Sequence, residues 1–173
     1  MTIKIAIIDL DGVMNSISDV RKHLVPVYTD RASYWAEWHK AHVKEKINPA
    51  AIAHYQILKS AGYRIVFLSN RISTCIGTTA VQLHAAGVDQ EDAILLRHPN
   101  DNRSSGDYKA GVVAHLLCGA LYLNKADRVV VMIYDDLDTT LSAIETHSAV
   151  KEFKKQGVNI AAVHLATFTG EDK

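Results

Sequence analysis

The sequence predicts an α/β fold: a mostly parallel sheet with helices on both faces. Three observations predict it. Short runs rich in Val, Ile and Leu recur along the 173 residues without polar alternation, as in strands buried on both sides. Stretches of helical length with start and stop signals separate these runs. Polar residues then gather just past the C-terminal ends of the runs, the edge where open parallel sheets bind ligands.

The first strand is "IKIAIID" at 3–9, followed by Asp11 and Gly12. Residues 14–47 break the alternation with a polar, basic and aromatic mixture that includes "DRASYWAEWHKAH", and are expected to form a small helical cap insertion. Asn48 before Pro49 marks a helix start, and Gly62 ends that helix. "RIVFLS" at 64–69 is the second strand, a helix follows at about 77–86 up to Gly87, and "AILLR" at 93–97 is the third strand. After the turn-rich loop 98–106, Asp107 is expected to cap a helix running to about Gly119. "RVVVMIY" at 128–134 is the fourth strand, about 138–156 is helical, and "NIAAVHL" at 159–165 is the fifth strand. No repeat or low-complexity segment interrupts this pattern, and 1–173 is expected to be a single domain.

The bulk composition narrows the function classes. The chain is 48% hydrophobic and 22% charged, as expected of a globular protein with a real core. Basic and acidic residues number 19 each, so whole-molecule charge provides no argument for nucleic-acid or membrane binding. Cys75 and Cys118 stand far apart without CxxC spacing, which excludes a sequence-readable zinc motif and suits a reducing, cytoplasmic location. The first apolar run stops at Asp9, too early for a signal-peptide core, and no run approaches the ~20 residues of a membrane span.

The strand ends carry chemistry. Asp9 and Asp11 follow the first strand, Ser69, Asn70 and Arg71 the second, Arg97 the third, and Asp135 and Asp136 the fourth. Charges at the rim of a dry core are costly unless paired or metal-bound. Four carboxylates on one rim repel each other, and a hard divalent cation such as Mg²⁺ relieves that repulsion. Asp9 then suits attack on phosphorus, forming an aspartyl-phosphate, while Asp11 suits proton transfer to the leaving oxygen and from water. Asp9, Asp11, Asp135 and Asp136 are the metal candidates. Ser69 and Lys109 supply a hydroxyl and a positive charge for phosphoryl oxygens, with Lys109 expected in the first turn of its helix. The competing reading of Asp9, Asp11 and Asp135–Asp136 is turn or helix capping. A solvated surface lysine is the competitor for Lys109, and surface ion pairing for Arg71 and Arg97.

The ordered set DLDGV at 9–13, the serine of "LSN" at 69, Lys109 and "YDD" at 134–136 resembles the haloacid dehalogenase (HAD) superfamily of phosphotransferases. The resemblance implies a Rossmann-like fold, Mg²⁺ dependence and, because the second aspartate is present, phosphoryl transfer rather than dehalogenation. "SNR" at 69–71 and Arg97, twelve positions before Lys109, are similar to the 3′-phosphatase domain of phage polynucleotide kinase/phosphatases. That likeness implies that Arg71 and Arg97, with Asn70 beside them, grip the phosphate or adjoining nucleotide. It also implies a phosphorylated nucleotide or a nucleic-acid 3′ end as substrate. Val13 stands where that family usually has threonine and Asn70 where it commonly has glycine. No GxxxxGK[ST] loop occurs among these residues, so no kinase half is expected in them.

Trp35, Trp38, His39 and His42 sit at helical spacing. They read as an amphipathic cap helix or as a base-stacking platform. Two other functions stay open on the sequence: a 5′(3′)-deoxyribonucleotidase or small-metabolite phosphatase, and a non-catalytic HAD-fold binding protein.

Overall fold

The computed structural model describes residues 1–165. Five parallel strands form one sheet in the order β3-β2-β1-β4-β5. They are β1 (Thr2–Ile8), β2 (Arg64–Ile72), β3 (Ala93–Arg97), β4 (Arg128–Asp135) and β5 (Asn159–His164). The helices are α1 (Asp19–Lys22), α2 (Ala36–Lys40), α3 (Pro49–Ser60), α4 (Ile76–Ala85), α5 (Ser105–Cys118), α6 (Asp138–Thr146) and α7 (Ser148–Lys155).

The period of two in a strand sorts its side chains between two cores. Ile3, Ile5 and Ile7 of β1 join Val66, Leu68, Val131 and Ile133 against Val113 and Leu117 of α5, Ile144 of α6 and Phe153 of α7. Ala6 and Ile8 join Ile65 and Phe67 against Tyr55 and Leu58 of α3 and Leu83 of α4. Both faces of β1 are therefore dry, which is why its sequence is apolar at nearly every position.

The chain moves outward from β1 through β2 to β3, then returns to place β4 on the other side of β1. The direction of winding thus reverses between β1 and β4, and a crevice opens beyond their C-terminal ends. The Asp9 N–H donates to the Tyr134 carbonyl at 2.9 Å, fastening the two strand ends together. At Gly12 the chain turns with φ +87, and a Cβ there would collide with the Asp136 carboxylate. Only glycine meets both demands.

Several boundaries differ from the sequence reading. The cap of α5 is Ser104, whose Oγ accepts from Asp107 N–H at 3.1 Å, and Asp107 lies inside the first turn. Three residues stand in Ser-Ser-Gly before Asp107, and the first serine is the better-placed oxygen. Lys109 consequently falls in the second turn, where the helix dipole has faded. The helix expected at 138–156 is two, because His147 has an extended ψ of 130. β2 continues past Ser69 to Ile72 through a register shift against β3. The segment 14–47 holds no single amphipathic helix. It contains α1, a 3-10 turn Ala32–Trp35, α2, and a second 3-10 turn Ala41–Lys44. Among the described residues, no helix is long and apolar enough to cross a membrane.

Candidate active site

Three carboxylates converge at the β1–β4 crevice. Asp9, Asp135 and Asp136 each offer an oxygen, and these atoms lie within 4.8 Å of one another. Lys109 reaches in from α5, with its Nζ 2.8 Å from Asp9 Oδ2 and 2.7 Å from Asp135 Oδ2. Asp9 Oδ1 accepts from the Leu10 N–H at 2.8 Å, and Asp135 Oδ1 from the Leu137 N–H at 3.0 Å. These bonds aim both carboxylates inward.

One lysine does not balance three carboxylates. Burial raises Asp9 to about 7, against the opposing pull of Lys109, and burial also raises Asp136. Burial alone would lower Lys109, but Asp9 and Asp135 outweigh it and hold the ammonium charged. An all-oxygen donor set with excess negative charge fits a hard divalent cation.

Asp11 stands apart from this cluster. Its Oδ1 accepts from Arg21 Nη1 at 2.6 Å and from Arg71 Nη2 at 2.7 Å. Glu45 Oε2 accepts from the same Arg21 nitrogen at 2.8 Å and from Asn15 Nδ2 at 2.6 Å. Two guanidiniums and two carboxylates thus form a buried, charge-balanced group. Burial alone would raise Asp11, but the two arginines overcome it and hold the carboxyl well below the usual range. Two of the expected site residues are placed differently from the rest. The Asp11 side chain is not among the gathered metal-type carboxylates, and Arg71 is occupied by Asp11, Asn15 and Thr79 rather than facing the cleft. Arg71 is the penultimate residue of β2, and its side chain turns to the Asp11 carboxylate on the face it meets.

The remaining expected residues divide. Ser69 is buried in β2 at its register shift against β3, where its Oγ accepts the Arg71 N–H at 3.3 Å. Asn70 and Arg97 line a cleft of about 340 Å³ next to Asp11 and Asp136. Asn70 Nδ2 donates to Ser105 Oγ at 2.5 Å. Arg97 is 9% exposed and forms no ion pair among the described residues, and its Nε has no hydrogen-bond partner there. Its nearest aromatic neighbour is Tyr108, 5.5 Å from guanidinium carbon to ring centroid. A buried guanidinium that makes no direct ion pair at the wall of a cleft is a candidate anion receptor.

Trp35, Trp38 and His39 form another wall of this cleft. The two indoles meet edge to face at 5.5 Å, and the Arg21 guanidinium stacks 3.6 Å over Trp38. His42 faces inward: its Nδ1 bonds the His39 carbonyl at 2.5 Å and its Nε2 meets Thr79 Oγ1 at 3.3 Å. Sequence reasoning missed Arg21, Asn15, Glu45 and Thr79. None belongs to a recognisable spacing: the return of 14–47 onto the sheet brings Asn15, Arg21 and Glu45 to the Asp11 network, and Thr79 reaches Arg71 from α4.

A parallel sheet carrying Asp, Lys and paired Asp at its switch point fits the phosphatase class. Residues 2–118 match the family described as HAD superfamily, subfamily IIIB (acid phosphatase), and the chain belongs to it. A search of curated proteins finds no significant relative. Among solved structures, a chain of the Pnkp1/Rnl/Hen1 complex is similar over 95% of this chain, with TM-score 0.57 and 19% identity. This protein spans 47% of that chain's length. The HAD domain of effector protein Lem4 from Legionella pneumophila is similar over 98% of this chain and 90% of its own, with TM-score 0.57 and 14% identity. Its inactive mutant has TM-score 0.59 and 12% identity, over 99% of this chain and 89% of its own. At these identities the likeness is one of fold.

Proposed function

We propose that the protein is a Mg²⁺-dependent phosphomonoester hydrolase working through an aspartyl-phosphate, on a nucleotide or a 3′-phosphorylated nucleic-acid end. The observation that carries this reading is the Asp9–Lys109–Asp135 ion-pair triangle gathered with Asp136, which itself lines a cleft shared with Asp11 and Arg97. Asp9, Asp135 and Asp136 would hold the Mg²⁺, whose charge would offset theirs and that of the phosphate.

In this scheme Asp9 attacks phosphorus, and the bond to the alcohol oxygen breaks with its electron pair on that oxygen. Lys109 holds Asp9 in position and offsets phosphoryl charge. Arg97, with Asn70 beside it, orients the substrate from the cleft wall. A water then attacks the phosphorus, Asp9 leaves, and inorganic phosphate is released. Asp11 moves the protons. Paired with Arg21 and Arg71 it is a carboxylate, the form that takes a proton from water; donation to the departing alcohol requires that pairing to loosen. Residues 14–47 act as a small cap on one domain spanning 1–173, and the unpaired Cys75 and Cys118 suit a cytoplasmic setting.

The Trp35–Trp38 wall supports a substrate with a flat ring. The fold it shares with a chain of an RNA repair complex adds to the nucleic-acid-end reading. A phosphatase of free nucleotides, including a 5′(3′)-deoxyribonucleotidase, or of small metabolites is the second reading, favoured by the modest cleft volume of about 340 Å³. Rates on a 3′-phosphorylated oligonucleotide, a 3′-dNMP and a 5′-dNMP, each with Mg²⁺ and with EDTA, test these. Turnover of both 3′ substrates and little of the 5′ is expected. A preference for 5′-dNMP would overturn the 3′-end reading.

A further inference from the structure

The cleft continues into a rim that the scheme above leaves without a task. Thr29 and Ala32 belong to the cleft wall. Tyr28 and Arg31 are their immediate chain neighbours, so each stands about 3.8 Å from the wall at Cα. Tyr28 is 72% exposed and Tyr34 45%. Their ring centroids lie 6.5 Å apart, with planes inclined by 55°. The Arg31 guanidinium is 5.8 Å from the Tyr34 ring centroid and forms no ion pair among the described residues. The Ala32 N–H donates to Asn102 Oδ1 at 3.1 Å, tying this segment to the loop after β3 that carries Arg103 and Ser104 of the same cleft.

The cleft volume sets how much substrate fits inside, and the rim chemistry bears on what lies beyond it. About 340 Å³ lies at the small end of the ~300–1,000 Å³ range of ligand pockets. One nucleotide fills such a space, and whatever is attached to it must leave across the rim. The chain beside the Thr29–Ala32 wall carries two exposed tyrosines and the Arg31 guanidinium. Bases stack on such faces whatever their identity, and the cation complements the strand's phosphate charge.

We infer that Tyr28, Arg31 and Tyr34 form a subsite for the nucleotide next to the 3′-phosphorylated end, so that the substrate is a single strand of at least two nucleotides. This rests on the 3′-end reading of the same site. The segment is continuous in the chain with the cleft wall, and Arg31 offers one cation to the strand.

The test compares kcat/KM for a mononucleoside 3′-phosphate and for dinucleotide and hexanucleotide 3′-phosphates on the full chain. The dinucleotide is expected to exceed the mononucleoside by about tenfold, the scale of one stacked base. The hexanucleotide should add little. In Tyr28→Ala/Tyr34→Ala that ratio should fall toward one, and in Tyr28→Phe/Tyr34→Phe it should persist, because the flat faces remain. Arg31→Ala should lower the ratio and flatten its salt dependence. A wild-type ratio near one, or a ratio unmoved by the double alanine variant, overturns the subsite while leaving 3′-phosphatase activity standing. Failure of the mononucleoside 3′-phosphate and both oligonucleotides to react overturns the 3′-end reading and the subsite together.

Discussion

Arg21, ten residues beyond Asp11 in the chain, donates to Asp11 Oδ1 at 2.6 Å from the segment that folds back over the sheet. Its Nε donates to the Trp38 carbonyl at 2.9 Å, and its guanidinium lies on the Trp38 ring. One side chain therefore joins a proposed catalytic carboxylate to the wall of the substrate cleft.

Removing Arg21 leaves Asp11 with one arginine and Glu45 with none. Breaking a buried pair by deleting one partner costs about 3–5 kcal/mol. Arg21→Ala is expected to lower stability on that scale, measured by denaturant unfolding. Because Arg21 and Glu45 share one contact, Arg21→Ala and Glu45→Ala should couple by more than about 0.5 kcal/mol in a double-mutant cycle. Strict additivity would deny the four-member network.

Asp9→Asn keeps the size of the side chain and removes the nucleophile. Turnover should fall to background while the far-UV spectrum and unfolding midpoint remain those of a folded chain. Undiminished phosphatase activity would remove Asp9 from the mechanism.

Metal dependence has two readouts. EDTA should abolish turnover and added Mg²⁺ restore it. Mg²⁺ should also raise the melting temperature of the wild type, since ligand that binds only the folded state stabilises it. In Asp136→Asn that rise should shrink. An equal rise in the variant would remove Asp136 from the metal site.

Gly12→Ala introduces a Cβ where Asp136 already stands, at a backbone φ of +87. The strain is on the order of 1–3 kcal/mol, and any relief must come from displacing the Asp136 carboxylate. Activity should therefore drop at least tenfold. An active, fully stable variant would refute the close approach.

Stability should fall on the acid side because of His39. Burial lowers its pKa to about 3 from an ordinary 6.5. Between these values the unfolded chain binds the proton and the folded chain does not, so stability is lost as pH falls through 6.5. One pH unit below 6.5 the contribution is about 1 kcal/mol. Melting curves at pH 7.5 and 5.5 should show a smaller loss for His39→Gln than for the wild type. Equal losses would place the titration elsewhere.

The fold was largely legible in the chain, because strands buried on both faces must be apolar throughout and their ends must be marked. "IKIAIID" and "RVVVMIY" are such strands, and they become the central pair β1 and β4. Lys109 and Asp135 lie 26 residues apart, yet the parallel sheet has little choice but to bring their elements to one edge, where they pair at 2.7 Å.

Side-chain direction was not legible in the same way. Sequence position brought Arg71 and Arg97 to the same sheet edge, but Arg71 turned to Asp11 while Arg97 stayed on the cleft wall with no direct ion pair among the described residues. A charge near a buried carboxylate pairs with it, since leaving either unpaired in a dry site costs several kcal/mol.

By itself, then, the sequence determined the parallel sheet, its order of elements, and the aspartates and lysine at its switch point. These follow from local periodicity and from the one edge that a parallel sheet offers. Only the tertiary structure decided which partners those charges took. Asp11 is held by Arg21 and Arg71 and stands outside the Asp9–Asp135–Asp136 group, because segment 14–47 folds back to deliver Arg21 and Glu45. Distance and burial set that pairing, and neither is written in the spacing of residues along the chain.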